Sequence, residues 1–179
     1  MSPVFNEKKA TQAAVRLLER SGGPTHIMNL VRMLYLADRE AILRWGQPIT
    51  HDRFVFLKHG PVLVHVLGLL IEVEEPGKTP SAWAARIRLR DGSVEAHGEP
   101  DPLQLSAEEL EVLDDVARQH GGKAPWELAK ATRSLPEWRE PTRAGALPFT
   151  AQDIVAAHRR ARPTPAEADP EEVYLNIHW

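Results

Sequence analysis

The chain has 179 residues, enough for one domain that buries roughly 70% of the surface its unfolded form exposes, so a core needs no covalent staples. It contains no cysteine, which excludes a disulfide scaffold and thiol chemistry, and its formal charge of −3 gives no whole-molecule attraction to phosphate. The longest apolar run, 61–71, is broken by His65 and Gly68 and falls short of the ~20 residues that cross a bilayer, and 1–9 lack the apolar centre of a secretory leader; a cytoplasmic protein that meets protein partners is the expectation.

Over 5–20, Ala10, Ala13, Ala14, Leu17 and Leu18 recur at helical spacing until Ser21-Gly22-Gly23-Pro24 ends the element. A second helix is predicted over about 25–45, with Ile27, Leu30, Val31, Leu34, Tyr35, Ala41, Ile42 and Trp45 on one stripe and Leu36 and Leu43 nearly opposite. Apolar groups on two sides mark a central, surrounded helix. Residues 53–57, Arg-Phe-Val-Phe-Leu, read as a short strand. Gly60-Pro61 then reads as the start of another helix, since proline suits a first helical turn, and 62–71 is apolar nearly all round and therefore predicted to be buried.

Residues 83–97 alternate around Asp91-Gly92 as a β-hairpin, because Asp-Gly accepts the positive φ angles of a tight turn. Ser106 with Glu109, and Leu105 facing Leu110, form a capping box with a hydrophobic staple for a helix that stops at Gly121-Gly122. Pro125 opens the next helix, to about Arg133, and Thr150 with Asp153, flanked by Phe149 and Ile154, caps a last one to about Arg160. Residues 163–170 are rich in proline and acid and read as a linker, and 173–179 turn apolar again. The fold class is α+β, mainly α-helical, with one domain over 1–162 and a linker and apolar tail over 163–179.

Asp38 stands out. On a helical wheel it lies within about 20° of Ile27 and Trp45, at the centre of the apolar stripe. A buried carboxylate costs several kcal/mol unless a cation or backbone N–H groups meet it, and Arg53, Lys58 and His59 are the natural partners for a structural clamp onto the following loop. Arg39 and Glu40 point elsewhere, toward solvent. A hydrolase using Asp38 and His59 is the catalytic alternative, and it lacks any accompanying nucleophile, H-E-x-x-H, P-loop or G-x-S-x-G motif. His51, His59 and His65 are too loosely constrained to predict a metal site, and neither metal nor cofactor is expected. Lys58-His59-Gly60-Pro61, at a helix start, could present N–H groups to an anion; a plain turn is the simpler reading. Over 106–133, helix, glycine turn and helix with Lys123, Lys130 and Arg133 have the form of a DNA-binding helix-turn-helix, while Trp126, Leu128 and Ala129 suggest packing.

The series Leu34-Tyr35-Leu36-Ala37-Asp38-Arg39-Glu40, Gly46-Gln47-Pro48-Ile49, Asp52-Arg53-Phe54 and His59-Gly60-Pro61-Val62 resembles the signature of the Panacea domain, the SocA-like antitoxin family. Leu105-Ser106-Ala107-Glu108, Trp126-Glu127-Leu128 and Pro136-Glu137-Trp138 resemble its second half, so the likeness spans about 5–160. The chain departs from the pattern at Thr132-Arg133, where the family often has Thr-His, and in the extension over 163–179. The resemblance implies a helical domain that neutralises a cognate toxin by direct contact, in a two-gene pair of bacteria or phage; an adaptor that delivers the toxin to a protease is the alternative mechanism. Partner contacts are expected from the loop bearing Asp52, Arg53, His59, Gly60 and Pro61, from the 83–97 hairpin, or from Tyr174, Leu175, Ile177 and Trp179 of the tail. The tail could equally dock on its own core.

Overall fold

A computed structural model describes residues 4–71, 80–142 and 145–162. The linker and tail, with Tyr174, Leu175, Ile177 and Trp179, lie outside the described residues. The order is α1 (Glu7–Arg20), β1 (Thr25–His26), α2 (Ile27–Trp45), β2 (Phe54–Leu57), β3 (Gly60–Leu63), α3 (Val64–Ile71), β4 (Ile87–Arg90), β5 (Ser93–Ala96), α4 (Ala107–His120), α5 (Pro125–Arg133), β6 (Leu147–Phe149) and α6 (Ala151–Ala161). The fold is α+β with helices predominating, and two small antiparallel sheets, ordered β1-β5-β4 and β3-β2-β6, flank the helical body.

Helix α2 is the axis of the molecule. It is packed by α1, α4, α5, α6 and β3, and Leu30, Val31, Met33, Leu34, Tyr35 and Ala41 are fully buried, as two apolar faces demand. Gly46, in the left-handed conformation at φ +86, ends it through an N–H bond back to Ile42. Trp45, assigned to the stripe by periodicity, is 40% exposed. Both predicted capping boxes form, at Ser106/Glu109 and Thr150/Asp153; these interactions are local, so sequence alone specifies them.

Three segments differ from the sequence reading. Gly60-Pro61 opens the strand β3 rather than a helix: β2 and β3 form a hairpin around Lys58-His59, with Phe56 opposite Pro61 and Leu57 opposite Gly60. Proline is admissible there because β3 is the edge of its sheet, where a missing N–H breaks no ladder. The helix starts only at Val64, and over its length just Val66 and Leu70 are buried while Ile71 is 71% exposed, so the apolar run is not enclosed. The second hairpin is shorter than 83–97. Residues 83–86 coil instead, with the Ala84 amide donating to Ser81 Oγ and the Ile87 amide to the Trp83 carbonyl, a local hydroxyl-backbone bond that competes with the ladder.

Candidate functional site

Asp38 is fully buried, and the expected clamp exists with different partners. Its Oδ1 accepts from the Ile49 amide at 2.8 Å and the Thr50 amide at 3.0 Å, and its Oδ2 accepts from the Thr50 hydroxyl. Arg53, Lys58 and His59 do not reach it: all three are exposed, Arg53 beside the loop and the other two at the β2–β3 turn. Backbone donors replace the cation because the chain turns back over α2 directly after Gly46, which brings two main-chain N–H groups to the carboxylate without a long side chain. Burial pushes Asp38 from 3.8 to about 7, against the pull of the Thr50 hydroxyl and the Thr50 and Ile49 amides, and the Asp52 charge adds to the rise.

Thr50 passes the hold onward. Its Oγ1 accepts from the Asp52 amide at 3.1 Å, and the buried Asp52 carboxylate in turn accepts from the amides of Arg53 at 2.6 Å, His65 at 3.0 Å and Val66 at 3.0 Å. The last two belong to the open first turn of α3, so Asp52 caps that helix from a distant segment and sits at its positive end. The His65 ring lies 2.7 Å from Asp52 Oδ1, the oxygen that also accepts from the Arg53 and His65 amides, and stacks on Phe5. One chain of contacts, Asp38 to Thr50 to Asp52, thus ties α2, the loop over 46–53 and α3 into one unit.

That loop forms one wall of an open cleft of ≈ 650 Å³, whose other walls are β2 and the junction of β6 with α6. Pro48, Phe54, Val55, Val64, Pro148 and Phe149 line it, with His51, Arg53 and Asp52 as its titratable groups and Gln47, Thr150 and Gln152 as neutral polar ones. His51 takes φ +55, a left-handed conformation that costs a non-glycine residue energy and that the bonded residues on either side impose. Burial and the Lys9 ammonium hold its imidazole below its ordinary value, so at neutral pH it presents an uncharged ring. Arg53 forms no ion pair among the described residues. Phe54 and Phe149 pass behind the cleft into an aromatic cluster with Tyr35 and Phe56, where Phe56 and Phe149 stack at 3.8 Å between centroids.

Of the residues expected to meet a partner, Arg53 and His59 are exposed, whereas Asp52, Gly60 and Pro61 are buried. Gly60 is enclosed because it packs on α5: a side-chain carbon there would stand 2.9 Å from Thr132 Oγ1, and its φ of +130 favours glycine in any case. The hydrolase pair does not form, since Asp38 has no exposure to substrate and is bonded to Ile49 and Thr50 rather than His59. The anion cradle at 58–61 loses its premise because a hairpin, not a helix start, occupies those residues. Among the described residues no three His, Asp or Glu side chains converge on a point that could hold a metal ion.

Another buried carboxylate, outside this unit, escaped sequence reasoning. Glu137, 4% exposed, accepts from the Tyr35 hydroxyl at 2.6 Å and from Arg39 at 2.6 and 3.2 Å, so Arg39 is engaged rather than solvated. Among the described residues Glu40 meets only Arg44, at the surface. The proline-glutamate-tryptophan motif at 136–138 is the available signal, and it gives no hint of partners 98 and 102 residues away on α2. The helix-turn-helix segment forms α4 and α5, but Leu128 and Thr132 turn inward while Trp126, expected in the core, is 69% exposed.

A search of curated proteins and one of solved structures return no match. The family model described as the antitoxin SocA-like Panacea domain matches residues 30–139, a span that includes α2 with Asp38, the loop over 46–53, Asp52 and Glu137. With more than half its length matched, the chain belongs to the SocA-like Panacea antitoxin family.

Proposed function

We propose that this chain is the antitoxin of a toxin–antitoxin pair and that it neutralises a cognate toxin by direct contact, with the cleft beside the 46–53 loop as a principal docking surface. The observation that carries this reading is the combination of a concave apolar surface with a wall held in place by a buried carboxylate. Such a wall loses little conformational freedom when a partner arrives, and association is strongest where that loss is small. Phe54, Val55 and Pro148 offer apolar contact, and Arg53 offers at the rim a guanidinium with no ion pair among the described residues, a residue type enriched among interface anchors. No helix of the described residues is long and apolar enough to cross a membrane, in keeping with a partner met in solution.

The test is to express the product of the neighbouring gene alone and together with this chain. The expected outcome is growth arrest by the neighbour, rescue by this chain, and a stable complex of the two purified proteins with no protease present. A non-toxic neighbour, or a toxic one that is neither rescued nor bound, defeats the reading. Rescue that requires a protease, without inhibition in the purified pair, would point to the adaptor mechanism instead.

A further inference from the structure

At the other end of β2, roughly 13 Å from the cleft at ~3.3 Å per strand residue, the β2–β3 turn meets α5 over a buried cation. Arg32 is 5% exposed and has no carboxylate partner among the described residues. Its two long contacts are to backbone carbonyls, Nη1 to Pro125 at 3.5 Å and Nη2 to His59 at 3.4 Å, and its Nε is buried with no acceptor. Burial, with the Arg133 charge adding, lowers the guanidinium from its ordinary value. A buried charge with no opposite charge is among the costliest arrangements a fold can hold.

The surface above it carries the same sign. Trp126, Lys130 and Arg133 follow at i, i+4 and i+7 along α5, so they form one outward stripe opposite the buried Leu128 and Thr132. Lys130 and Arg133 are exposed and make no ion pair among the described residues, and the Glu127 carboxylate is committed to the Ala124 amide at 2.7 Å. The helix dipole accounts for cations in a last turn. It does not account for a guanidinium buried without an anion, nor for an indole left 69% exposed in their midst.

We infer that the outer stripe of α5 is a second docking surface, built for an acidic segment of the partner protein, with Arg32 keeping the surface positive from beneath. The inference rests on the antitoxin reading. Complementary charge sets the chemistry of the occupant: carboxylates of the partner meet Lys130 and Arg133, an apolar group covers Trp126, and the approaching negative charge gives Arg32 the counter-charge that it lacks among the described residues. In a chain of net charge −3, three cations here, Arg32, Lys130 and Arg133, against the one Glu127 carboxylate that is held by the Ala124 amide, make a local inversion, and it favours an acidic protein over the long phosphate track of a duplex, which calls for a broad basic face.

The experiment uses the full chain and the purified product of the neighbouring gene. Binding is measured for wild type, for K130E/R133E, for R32M, and for R159E/R160E, which makes the same charge change on the exposed end of α6. The expected result is at least a ten-fold loss of affinity in K130E/R133E, a several-fold loss in R32M with an unchanged or raised melting temperature, and under two-fold change in R159E/R160E. Equal effects of both double reversals, or none from either while wild type binds and rescues, overturn this inference and leave the antitoxin reading standing. A wild-type chain that neither binds nor rescues overturns both. Loss of binding to a duplex of the chain's own promoter, with partner binding intact, assigns the stripe to nucleic acid and refutes the proposal.

Discussion

Removing the Asp38 carboxylate tests the architecture of the cleft most directly. In Asp38→Ala, the amides of Ile49 and Thr50 and the Thr50 hydroxyl lose their acceptor in a site without solvent. Each buried donor left unpaired costs about 1–3 kcal/mol, and taking the low end for three donors gives a loss of roughly 3 kcal/mol. For a domain of this size each kcal/mol moves the melting temperature by about 2–4 °C, so a drop of roughly 6–12 °C is expected. Asp38→Asn keeps one oxygen for the two amides, and the Thr50 hydroxyl can turn to accept from the new NH2, so its cost is about 1 kcal/mol. Urea and thermal unfolding at neutral pH measure both variants, and amide exchange over 46–53 locates the damage. An alanine variant that melts within about 2 °C of wild type, or an asparagine variant as damaged as the alanine one, would refute the acceptor argument.

Further outcomes follow from the same contacts. Because the folded Asp38 binds a proton up to about pH 7 and the unfolded one releases it near 3.8, the folded state holds the extra proton between those values; stability therefore falls as pH rises through that window and levels off above it. Comparing urea midpoints at pH 5 and pH 8 should show this decline in wild type and a weaker one in Asp38→Asn; equal slopes would discount it. Glu137→Ala strands the largely buried Arg39 and the Tyr35 hydroxyl, and equilibrium unfolding should register a loss of about 3 kcal/mol or more, against about 1 kcal/mol for Tyr35→Phe, which leaves the ion pair intact. Gly60→Ala brings a carbon to 2.9 Å from Thr132 Oγ1 at φ +130 and should cost about 2 kcal/mol, of which adding Thr132→Ala recovers only the contact and not the backbone strain; full recovery in the double variant would show the strain to be negligible.

What sequence could disclose here depended on the range of the interaction. The helical wheel found Asp38 because periodicity is a property of a single helix, and the caps at Ser106 and Thr150 were legible because both partners lie three residues apart. The identity of Asp38's partners was not legible: a main-chain N–H belongs to every residue except proline and leaves no mark in the sequence, so charged side chains were preferred over the amides of Ile49 and Thr50. Gly60-Pro61 misled for a different reason. Proline fits both a first helical turn and the free side of an edge strand, and only the pairing with Phe56 decides between them. The Tyr35, Arg39 and Glu137 network was hidden by distance along the chain, and Trp126 by the assumption that a large ring on a helix turns inward.

The two aspartates take most of their hydrogen bonds from main-chain amides, with the Thr50 hydroxyl and the His65 ring as their side-chain partners, and this leaves parts of the loop chemically uncommitted. At position 53 the clamp asks only for a peptide amide, and at 51 only for a side chain that tolerates the left-handed backbone, so the groups that project from them can change without removing a clamp bond. A lineage carrying such a frame could retune its specificity by drift at a few outward positions, keeping the carboxylates while adopting new adversaries.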